Sequence, residues 1–263
     1  MKILIGTPIK QSAAILRFYL ESLESLEKED WQVHYCFVDD NDEEASHDLL
    51  TEFANKHQVT ILSSEFEDEY VKTDNTHHWN DNLIWKVANF KNEIIQKAVK
   101  EEYDYLFFVD SDLALHPNTL QQLVIANKEV ISEIFWTKWT KDATVALPQV
   151  WVSDQYTLYE KKKNESLTQE EANKRTWAFI EKLKKPGVYE VGGLGALTLI
   201  HKDALLKGVH FGEIKNLSFT GEDRHFCVRA GALGIDLYVD THYPAYHIYR
   251  PEDLEKLKRI RNK

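Results

Sequence analysis

A short apolar run that ends in two carboxylates constrains the fold of this 263-residue chain more than any other stretch. Residues 105–109 are all aromatic or aliphatic, and Asp110, Ser111 and Asp112 follow directly. A run of this length predicts a strand that is buried on both faces, as in a parallel sheet covered by helices. The two acids then lie just past the carboxyl end of the strand, where open α/β sheets bind their ligands.

The spacing of these two aspartates suits metal binding. Residues two apart on an extended backbone point to the same side, so Asp110 and Asp112 can both address one divalent cation and the oxygens around it. We therefore expect a metal held against a diphosphate. The same triplet is also common as a turn or a helix cap, and the choice depends on whether the rest of the chain supplies a nucleotide pocket.

Strand-like and helix-like segments alternate through the first half of the chain. The hydrophobic spacing predicts strands at residues 2–6, 33–38 and 60–62, and helices at residues 12–26, 43–56 and 81–100. This alternation predicts a mostly parallel sheet flanked by helices, in one Rossmann-like α/β domain. Residues 65–80 lack periodicity and form a loop long enough to be functional.

The second half is less regular. We expect a helix that starts near residue 116 and includes Val130 and Ile131, and a strand at residues 134–136. Residues 137–164 are irregular and carry aromatic side chains that form either a carbohydrate-stacking wall or a satellite core. A capping box at Thr168 opens a further helix. Later segments predict strands at 197–200, 235–239 and 243–248 and a C-terminal helix at 251–263.

Composition narrows the classes of function. The formal net charge of −11 argues against binding nucleic acid through its phosphates. No apolar stretch reaches the length needed to span a membrane. The only cysteines, Cys36 and Cys227, have no metal-ligand spacing, and buried free thiols in a reducing compartment are expected. These features predict a cytoplasmic protein.

Two further groups of residues are candidates for a site. Glu222 and Asp223 precede a predicted helix, where they either cap it or place Asp223 to accept a proton from an incoming hydroxyl. Lys91 interrupts the apolar stripe of the helix at 81–100 and either snorkels to solvent or reaches the phosphates or sugar of a ligand. Three glycines at 192, 193 and 195 allow a close approach of backbone to ligand.

These motifs, taken in order, resemble those of GT-A fold glycosyltransferases, in particular the inverting family-two enzymes and their relatives. Asp110-Ser111-Asp112 is similar to their Asp-x-Asp motif, and Glu222-Asp223 is similar to their x-Glu-Asp motif. Gly192 to Ala196 resembles their acceptor-side glycine strand, which includes Gly193. Asn92 matches a position common in the family, and His247 lies where such enzymes often place a metal ligand.

The resemblance implies a role for each matching residue. Thr7 and Pro8, with Asp39 or Asp40, would contact the base and ribose of a nucleotide. Asp110 would contact the ribose or the metal, beside Ser111. Asp112 and His247 would ligate Mn²⁺ or Mg²⁺, although a histidine among tyrosines is as often a hydrogen-bonded core residue. Asp223 would be the general base, with Glu222 beside it.

The implied activity is metal-dependent transfer of a sugar, with inversion, from a nucleotide-diphosphate donor to an acceptor hydroxyl. A UDP-sugar is the expected donor, and the acceptor is an unspecified glycan, lipid, protein or small molecule. In this interpretation residues 1–115 bind the nucleotide and residues 116–250 bind the acceptor. A nucleotidyltransferase, or a module that binds nucleotide or sugar without turnover, is the alternative. A haloacid-type phosphatase is disfavoured because its Asp-x-Asp ends the first strand.

Overall fold

The computed structural model describes residues 1–64 and 80–261. All but the last residue of the predicted loop at 65–80 therefore lies outside the described residues. The helices are α1 Ala13–Glu24, α2 Glu44–Ala54, α3 Asp81–Lys100, α4 Thr119–Ile125, α5 Gln169–Leu183, α6 Lys202–Lys207, α7 Glu222–Ala232 and α8 Pro251–Arg261. The strands are β1 Lys2–Ile9, β2 Gln32–Asp39, β3 Val59–Ser63, β4 Tyr105–Val109, β5 Leu113–Ala114, β6 Val130–Thr137, β7 Leu147–Pro148, β8 Val150–Trp151, β9 Val188–Val191, β10 Gly193–Leu194, β11 Leu197–His201 and β12 Leu237–His247.

One twisted sheet organises the chain, in the strand order β3-β2-β1-β4-β11-β6-β12-β5. The first four strands of this order are mutually parallel. β11 then runs antiparallel to both β4 and β6, whereas β12 is parallel to β6. The prediction of an α/β fold with a parallel core is confirmed, and the antiparallel strands belong to the second half of the chain.

Helices cover both faces of the sheet, which explains why β4 is apolar at every position. Leu106 and Phe108 point into the core shared with α3, α6 and α7. Tyr105, Phe107 and Val109 point into the opposite core, shared with α1, α2 and α4. All five side chains are buried. The strand predicted from this run is confirmed, and Asp110 begins where the two cores end.

Two predicted boundaries are wrong. Val130 and Ile131 lie in β6 rather than in a helix, because α4 ends at Ile125 and Asn127 turns the chain with a φ of 50°. A strand buried on both faces is apolar throughout and can imitate helical spacing. The predicted strands at 235–239 and 243–248 form one strand, β12, whose register with β6 shifts between Asp240 and Ala245.

Other local predictions are confirmed. The Oγ1 of Thr168 accepts a hydrogen bond from the backbone N–H of Glu171, which caps α5 as expected. Cys36 and Cys227 are both free and buried. Among the described helices, none has both the length and the apolar character required to cross a bilayer.

Candidate active site

A cleft of about 460 Å³ opens at the carboxyl ends of β1, β2 and β4. This volume is within the range of small-molecule sites. Most of the residues selected from the sequence line it, although they come from distant parts of the chain. They are Pro8, Asp40, Lys91, Asp110, Ser111, Asp112, Glu222, Asp223 and His247.

Backbone pairing brings Asp112 and His247 together. β5 follows Asp112 immediately and pairs antiparallel with the end of β12, so that His247 is opposite Leu113. The carbonyl of Asp112 also accepts a hydrogen bond from the backbone N–H of Ile248, at 2.8 Å. As a result the Nε2 of His247 lies 3.2 Å from the Oδ2 of Asp112. We call Asp110, Asp112 and His247 the first acidic centre.

The other ring nitrogen of His247 is held by a hydroxyl. Its Nδ1 lies 2.8 Å from the Oγ1 of Thr137, the last residue of β6. A partner on one nitrogen fixes the orientation of the imidazole and leaves the second nitrogen directed at the carboxylate of Asp112. Both ring nitrogens of His247 therefore have a partner, a hydroxyl on one side and a carboxylate on the other.

Asp110 and Ser111 form the turn between β4 and β5. The backbone N–H of Asp110 donates to the carbonyl of Ala196 at 2.8 Å, which ties this turn to the glycine-rich segment. Burial raises the pKa of the Asp110 carboxyl to about 8, although the nearby ammonium of Lys91 opposes that shift. Ser111 is buried beside it and lines the cleft.

The second acidic centre, which we define as Lys91, Glu222 and Asp223, joins two helices. The Nζ of Lys91 donates to the Oε1 of Glu222 at 3.1 Å and to the Oδ1 of Asp223 at 3.0 Å. The lysine side chain is only 4% exposed, so it does not snorkel to solvent. Its ammonium also lies 4.8 Å from the centre of the Phe211 ring. Lys91 therefore contacts the acidic pair.

Burial and charge act in opposite directions at this second centre. Burial alone disfavours the ammonium of Lys91, but Asp223 and Glu222 outweigh it and hold the pKa of Lys91 above its ordinary value. Burial raises the pKa of Glu222, and the charge of Lys91 opposes that effect. The lysine thus remains a cation and fixes both carboxylates in place.

The glycine-rich segment contributes space to the site. A Cβ on Gly195 would meet the Oδ2 of Asp223 at 2.4 Å, so only glycine leaves room for that carboxylate. A Cβ on Gly193 would meet the indole of Trp151 at 2.0 Å. Gly193 therefore serves packing against β8 and does not line the cleft, in contrast to the predicted binding role, whereas Ala196 does line it.

Three more predicted binding residues, Thr7, Asp39 and Asn92, lie outside the cleft. Thr7 is fully buried, and its hydroxyl donates to the carbonyl of Val109 and contacts the hydroxyl of Tyr19. It joins the ends of β1 and β4 from behind the site. Asp39 accepts from Asn41 and lies 2.7 Å from the Nδ1 of His47.

Asn92 has a structural contact of its own. Its Oδ1 accepts a hydrogen bond from the backbone N–H of Phe211 at 2.8 Å. This bond positions the ring on which Lys91 rests and which stacks with Phe226. Asn92 therefore supports the second acidic centre from outside the cleft.

Several residues in or beside the cleft were not selected from the sequence. Lys86 does not line the cleft, but it is buried and forms an ion pair with the cleft residue Asp40 at 2.9 Å. Trp139 and Tyr156 line the cleft and remain 45% and 52% exposed, whereas the nearby Trp151 is buried in the core. Trp151 thus belongs to the core, whereas a carbohydrate-stacking role for Trp139 and Tyr156 stays a prediction. Arg224 also lines the cleft. The only feature of the sequence that could have pointed to Arg224 as a cleft residue was its position directly after Asp223.

A third acidic pair lies away from the cleft, within the sheet. Glu133 of β6 and Asp240 of β12 are opposite each other in register, and both are buried. Asp240 accepts hydrogen bonds from Gln122 and from the backbone N–H of His242. Burial, together with the charge of Asp240, raises the pKa of Glu133 to about 9. The raised pKa favours the protonated form of Glu133 at neutral pH, and Asp240 lies 2.9 Å from the Nδ1 of His242.

The residues of the first centre fit a hard or borderline divalent cation. Within residues 1–64 and 80–261, no three histidine, cysteine or acidic side chains form a preassembled metal cluster. Asp112 and His247 supply one oxygen and one nitrogen donor side by side. Mg²⁺ and similar ions are commonly held by one or two carboxylates together with substrate phosphates, and Mn²⁺ accepts such ligands. The donor set therefore suits a cation that binds with a diphosphate.

Known proteins share the fold. GalNAc-T7, in a structure with UDP, GalNAc and Mn²⁺, is 15% identical with a TM-score of 0.61, over 96% of this chain and 45% of that one. The mannosyltransferase PcManGT from Pyrobaculum calidifontis, in complex with GDP-Man and Mn²⁺, is 11% identical with a TM-score of 0.51, over 91% of this chain and 56% of that one. The fold is therefore that of the GT-A glycosyltransferases.

Sequence comparison identifies the family. The Anp1 family model matches residues 1–179, about two thirds of the chain, and this protein belongs to the Anp1 family. A glycosyltransferase 25 family member of Aedes aegypti is 26% identical over 157 residues, which is 54% of this chain. The chain spans about a quarter (26%) of the length of that relative. The predicted resemblance to GT-A glycosyltransferases is confirmed, and the family match includes the Asp110-Ser111-Asp112 motif.

Proposed function

We propose that this chain transfers a sugar from a nucleotide-diphosphate donor to an acceptor hydroxyl, with Mn²⁺ or Mg²⁺ and with inversion. One observation carries the proposal. The first and second acidic centres come from four separate parts of the chain and line one cleft of about 460 Å³. Glycosyl transfer from a nucleotide sugar requires a site for a diphosphate and a site for a proton acceptor.

The donor would lie on the β1–β4 side of the cleft. Pro8 and Asp40 are the candidates to contact its base and ribose, with Asp110 and Ser111 beside them. Asp112 and His247 would hold the cation. When bound, that cation stabilises the negative charge that develops on the departing diphosphate.

The acceptor side depends on Asp223. Its Oδ1 is engaged by Lys91, and its Oδ2 lies over Gly195. We propose that the Oδ2 accepts the proton of the attacking hydroxyl, typically a ~10²–10⁴-fold contribution to rate. Lys91 and Glu222 position this carboxylate. Inversion at the sugar requires this base to lie on the side of the sugar opposite the leaving group.

The similar structures supply support for the cofactor and the donor class. GalNAc-T7 is described with UDP and Mn²⁺, and PcManGT is described with GDP-Man and Mn²⁺. We propose a UDP-sugar as the first donor to test and GDP-mannose as the second. The acceptor class is addressed below.

We also propose which regions of the chain bind each substrate and where in the cell the protein is located. We assign donor binding mainly to residues 1–115, acceptor binding mainly to residues 116–250, and a C-terminal helix to residues 251–263, in a single catalytic domain. We propose a cytoplasmic location on the ground that Cys36 and Cys227 are free thiols in the interior.

A panel of nucleotides and nucleotide sugars tests the function. The melting temperature should increase with one nucleoside diphosphate only when Mn²⁺ or Mg²⁺ is present, since Asp112 and His247 would hold a cation that binds with the diphosphate. The matching nucleotide sugar should then be hydrolysed slowly to free sugar, with water as acceptor. Metal-dependent binding without any hydrolysis would favour the binding module. Release of pyrophosphate from a nucleoside triphosphate mixed with a sugar phosphate would favour a nucleotidyltransferase.

A further inference from the structure

One cationic side chain of the cleft has a contact pattern that differs from the others. Arg224 follows Asp223 in the first turn of α7 and lines the cleft. Lys10 is ion-paired with Asp42, and Lys91 with the acidic pair. Arg224 has no ion pair or hydrogen bond within the part of the chain that the structure describes, and its Nε is fully buried without a partner.

Two aromatic rings hold the guanidinium of Arg224. Its central carbon lies 4.5 Å from the centre of the Tyr156 ring and 4.5 Å from the centre of the Phe219 ring. Gly221 lets the side chain approach the backbone, because a Cβ there would lie 3.0 Å from the Nε of Arg224. The rings attract the cation through their faces, but they accept no hydrogen bond from the N–H groups in the plane of the guanidinium. The guanidinium is therefore held in one orientation, and no residue that the structure describes pairs with its N–H groups.

A fixed guanidinium of this kind selects a particular ligand chemistry. Its parallel N–H donors match two oxygens of a carboxylate or a phosphate group, and such bidentate pairs are stronger than neutral hydrogen bonds. Carboxylates of Asp40, Asp112 and Glu222 lie on the other walls of the cleft. An anionic molecule would be repelled there unless one cation remained available for it.

We propose that Arg224, clamped by Tyr156 and Phe219, binds an anionic group of the acceptor next to the hydroxyl that is glycosylated. The inference rests on the proposed function, since it takes Asp223 as the group that meets that hydroxyl. Arg224 is its immediate neighbour in sequence and lines the same cleft. The acceptor class is then a hydroxyl compound that carries a phosphate or a carboxylate.

The same chemistry has a second source, the diphosphate of the donor, and a binding experiment separates the two. The protein is first saturated with UDP and Mn²⁺ so that the donor site is filled. Glycerol 3-phosphate and glycerol are then titrated as probes, by calorimetry or by ligand-observed NMR. We expect glycerol 3-phosphate to bind at least about tenfold more tightly than glycerol.

Variants at position 224 complete the test. Arg224→Gln should weaken glycerol 3-phosphate binding by roughly ten- to a hundredfold and remove the preference over glycerol. Arg224→Lys keeps the charge but loses the planar fork, so it should restore only part of the affinity. Arg17→Gln, which removes a charge from an exposed site on α1, should keep the preference. Melting temperatures identify any variant that fails to fold.

The possible results distinguish a failure of the proposed function from a failure of the anionic subsite at Arg224. If neither UDP nor GDP binds with metal, the proposed function fails. If a nucleotide binds but the wild-type protein does not prefer glycerol 3-phosphate, the anionic subsite is overturned while the proposed function stands. A lower affinity for UDP in Arg224→Gln, with unchanged preference between the two probes, would assign the arginine to the donor and also overturn the inference.

Discussion

The first and second acidic centres face the same cleft, but their carboxylates are stabilised in different ways. Asp112 lies against the imidazole of His247, whose second nitrogen is held by Thr137. Glu222 and Asp223 instead lie against the buried ammonium of Lys91. The second centre therefore has a permanent cation of its own, whereas the first presents oxygen and nitrogen donors of the kind that ligate metals.

This difference suggests a division of labour between the centres. Donors that resemble metal ligands suit the diphosphate side of the reaction, where charge develops on the leaving group. A carboxylate fixed by an internal lysine stays in one place and suits a proton acceptor. The buried Glu133–Asp240 pair is a useful reference, because burial there raises the pKa of Glu133 to about 9 and favours its protonated form.

The largest expected effect is at the first centre. Asp112→Asn should weaken Mn²⁺-dependent binding of the nucleotide by more than about a hundredfold, since it removes a charged ligand where even indirect partners are worth 10–100-fold. Calorimetric titration of UDP with Mn²⁺ measures this. Asp236→Asn, at an exposed position, makes the same chemical change and should bind as the wild type does. Equal affinity in the two variants would remove Asp112 from the site.

The second centre should give the opposite pattern. Asp223→Asn should bind nucleotide and metal normally and lose transfer by about 10²–10⁴-fold, because it removes the proton acceptor. Turnover of the nucleotide sugar, measured beside its binding, separates the two effects. Unchanged turnover would refute the assignment of Asp223 as base.

A stability measurement tests the role of Lys91. Lys91→Met leaves Glu222 and Asp223 without a cation and should lower the free energy of unfolding by about 3 kcal/mol at neutral pH. The deficit should narrow as pH falls, because the carboxylates then take up protons. Urea unfolding measures both effects. Lys56→Met breaks an exposed pair with Glu52 and should change little. A Lys91 variant as stable as this control would contradict the account.

Removal of the Thr137 hydroxyl, which lies against the Nδ1 of His247, should have a smaller effect. Thr137→Val removes the partner of the Nδ1 and should weaken Mn²⁺ binding in the presence of UDP by about 10–100-fold. Thr51→Val, on the exposed face of α2, is the matched control. Titration of Mn²⁺ at fixed UDP gives the affinities. The same affinity in both variants would show that Thr137 does not orient the imidazole.

The reference pair predicts a pH dependence of stability. The pKa of Glu133 is raised to about 9 in the folded state, so folding retains a proton that the unfolded chain releases near pH 4.5. The contribution of Glu133 to the free energy of unfolding is fully present at low pH. It falls by up to about 1.4 kcal/mol per pH unit as the pH rises towards 9. His242 is the nearest titratable neighbour of the pair, 2.9 Å from Asp240.

Replacement of Glu133 tests that slope. Glu133→Gln should flatten the decline between pH 6 and pH 8, whereas Glu190→Gln, at an exposed position, should keep it. Urea unfolding at several pH values gives the comparison. A Glu133 variant with the wild-type slope would show that the pair does not hold the proton.

Local signals explain what was predictable from the sequence. The apolar run at 105–109 and the acids after it located the first centre, because consecutive apolar residues predict a strand buried on both faces and the acids follow its last residue. The amphipathic period of α3 and the capping box of α5 were equally local. Such patterns can be recognised from residues that are close together in the sequence.

The rest depended on contacts between distant residues. Lys91 meets Glu222 and Asp223 more than 130 positions away, so its partner could not be read from its own helix. Thr7 and Asn92 were selected by family resemblance, yet they bond to Val109 and Phe211 outside the cleft. For Val130 the obstacle was different, because a fully buried strand carries no period that excludes a helix.

Anomalous X-ray scattering from Mn²⁺, in crystals grown with UDP or with GDP, tests the central claim most directly. We expect one manganese peak in the cleft, in contact with a carboxylate oxygen of Asp112, the Nε2 of His247 and the diphosphate of the nucleotide, with Asp223 on the opposite wall. A nucleotide bound in the cleft with its manganese on other residues, or a nucleotide bound outside the cleft, would contradict it.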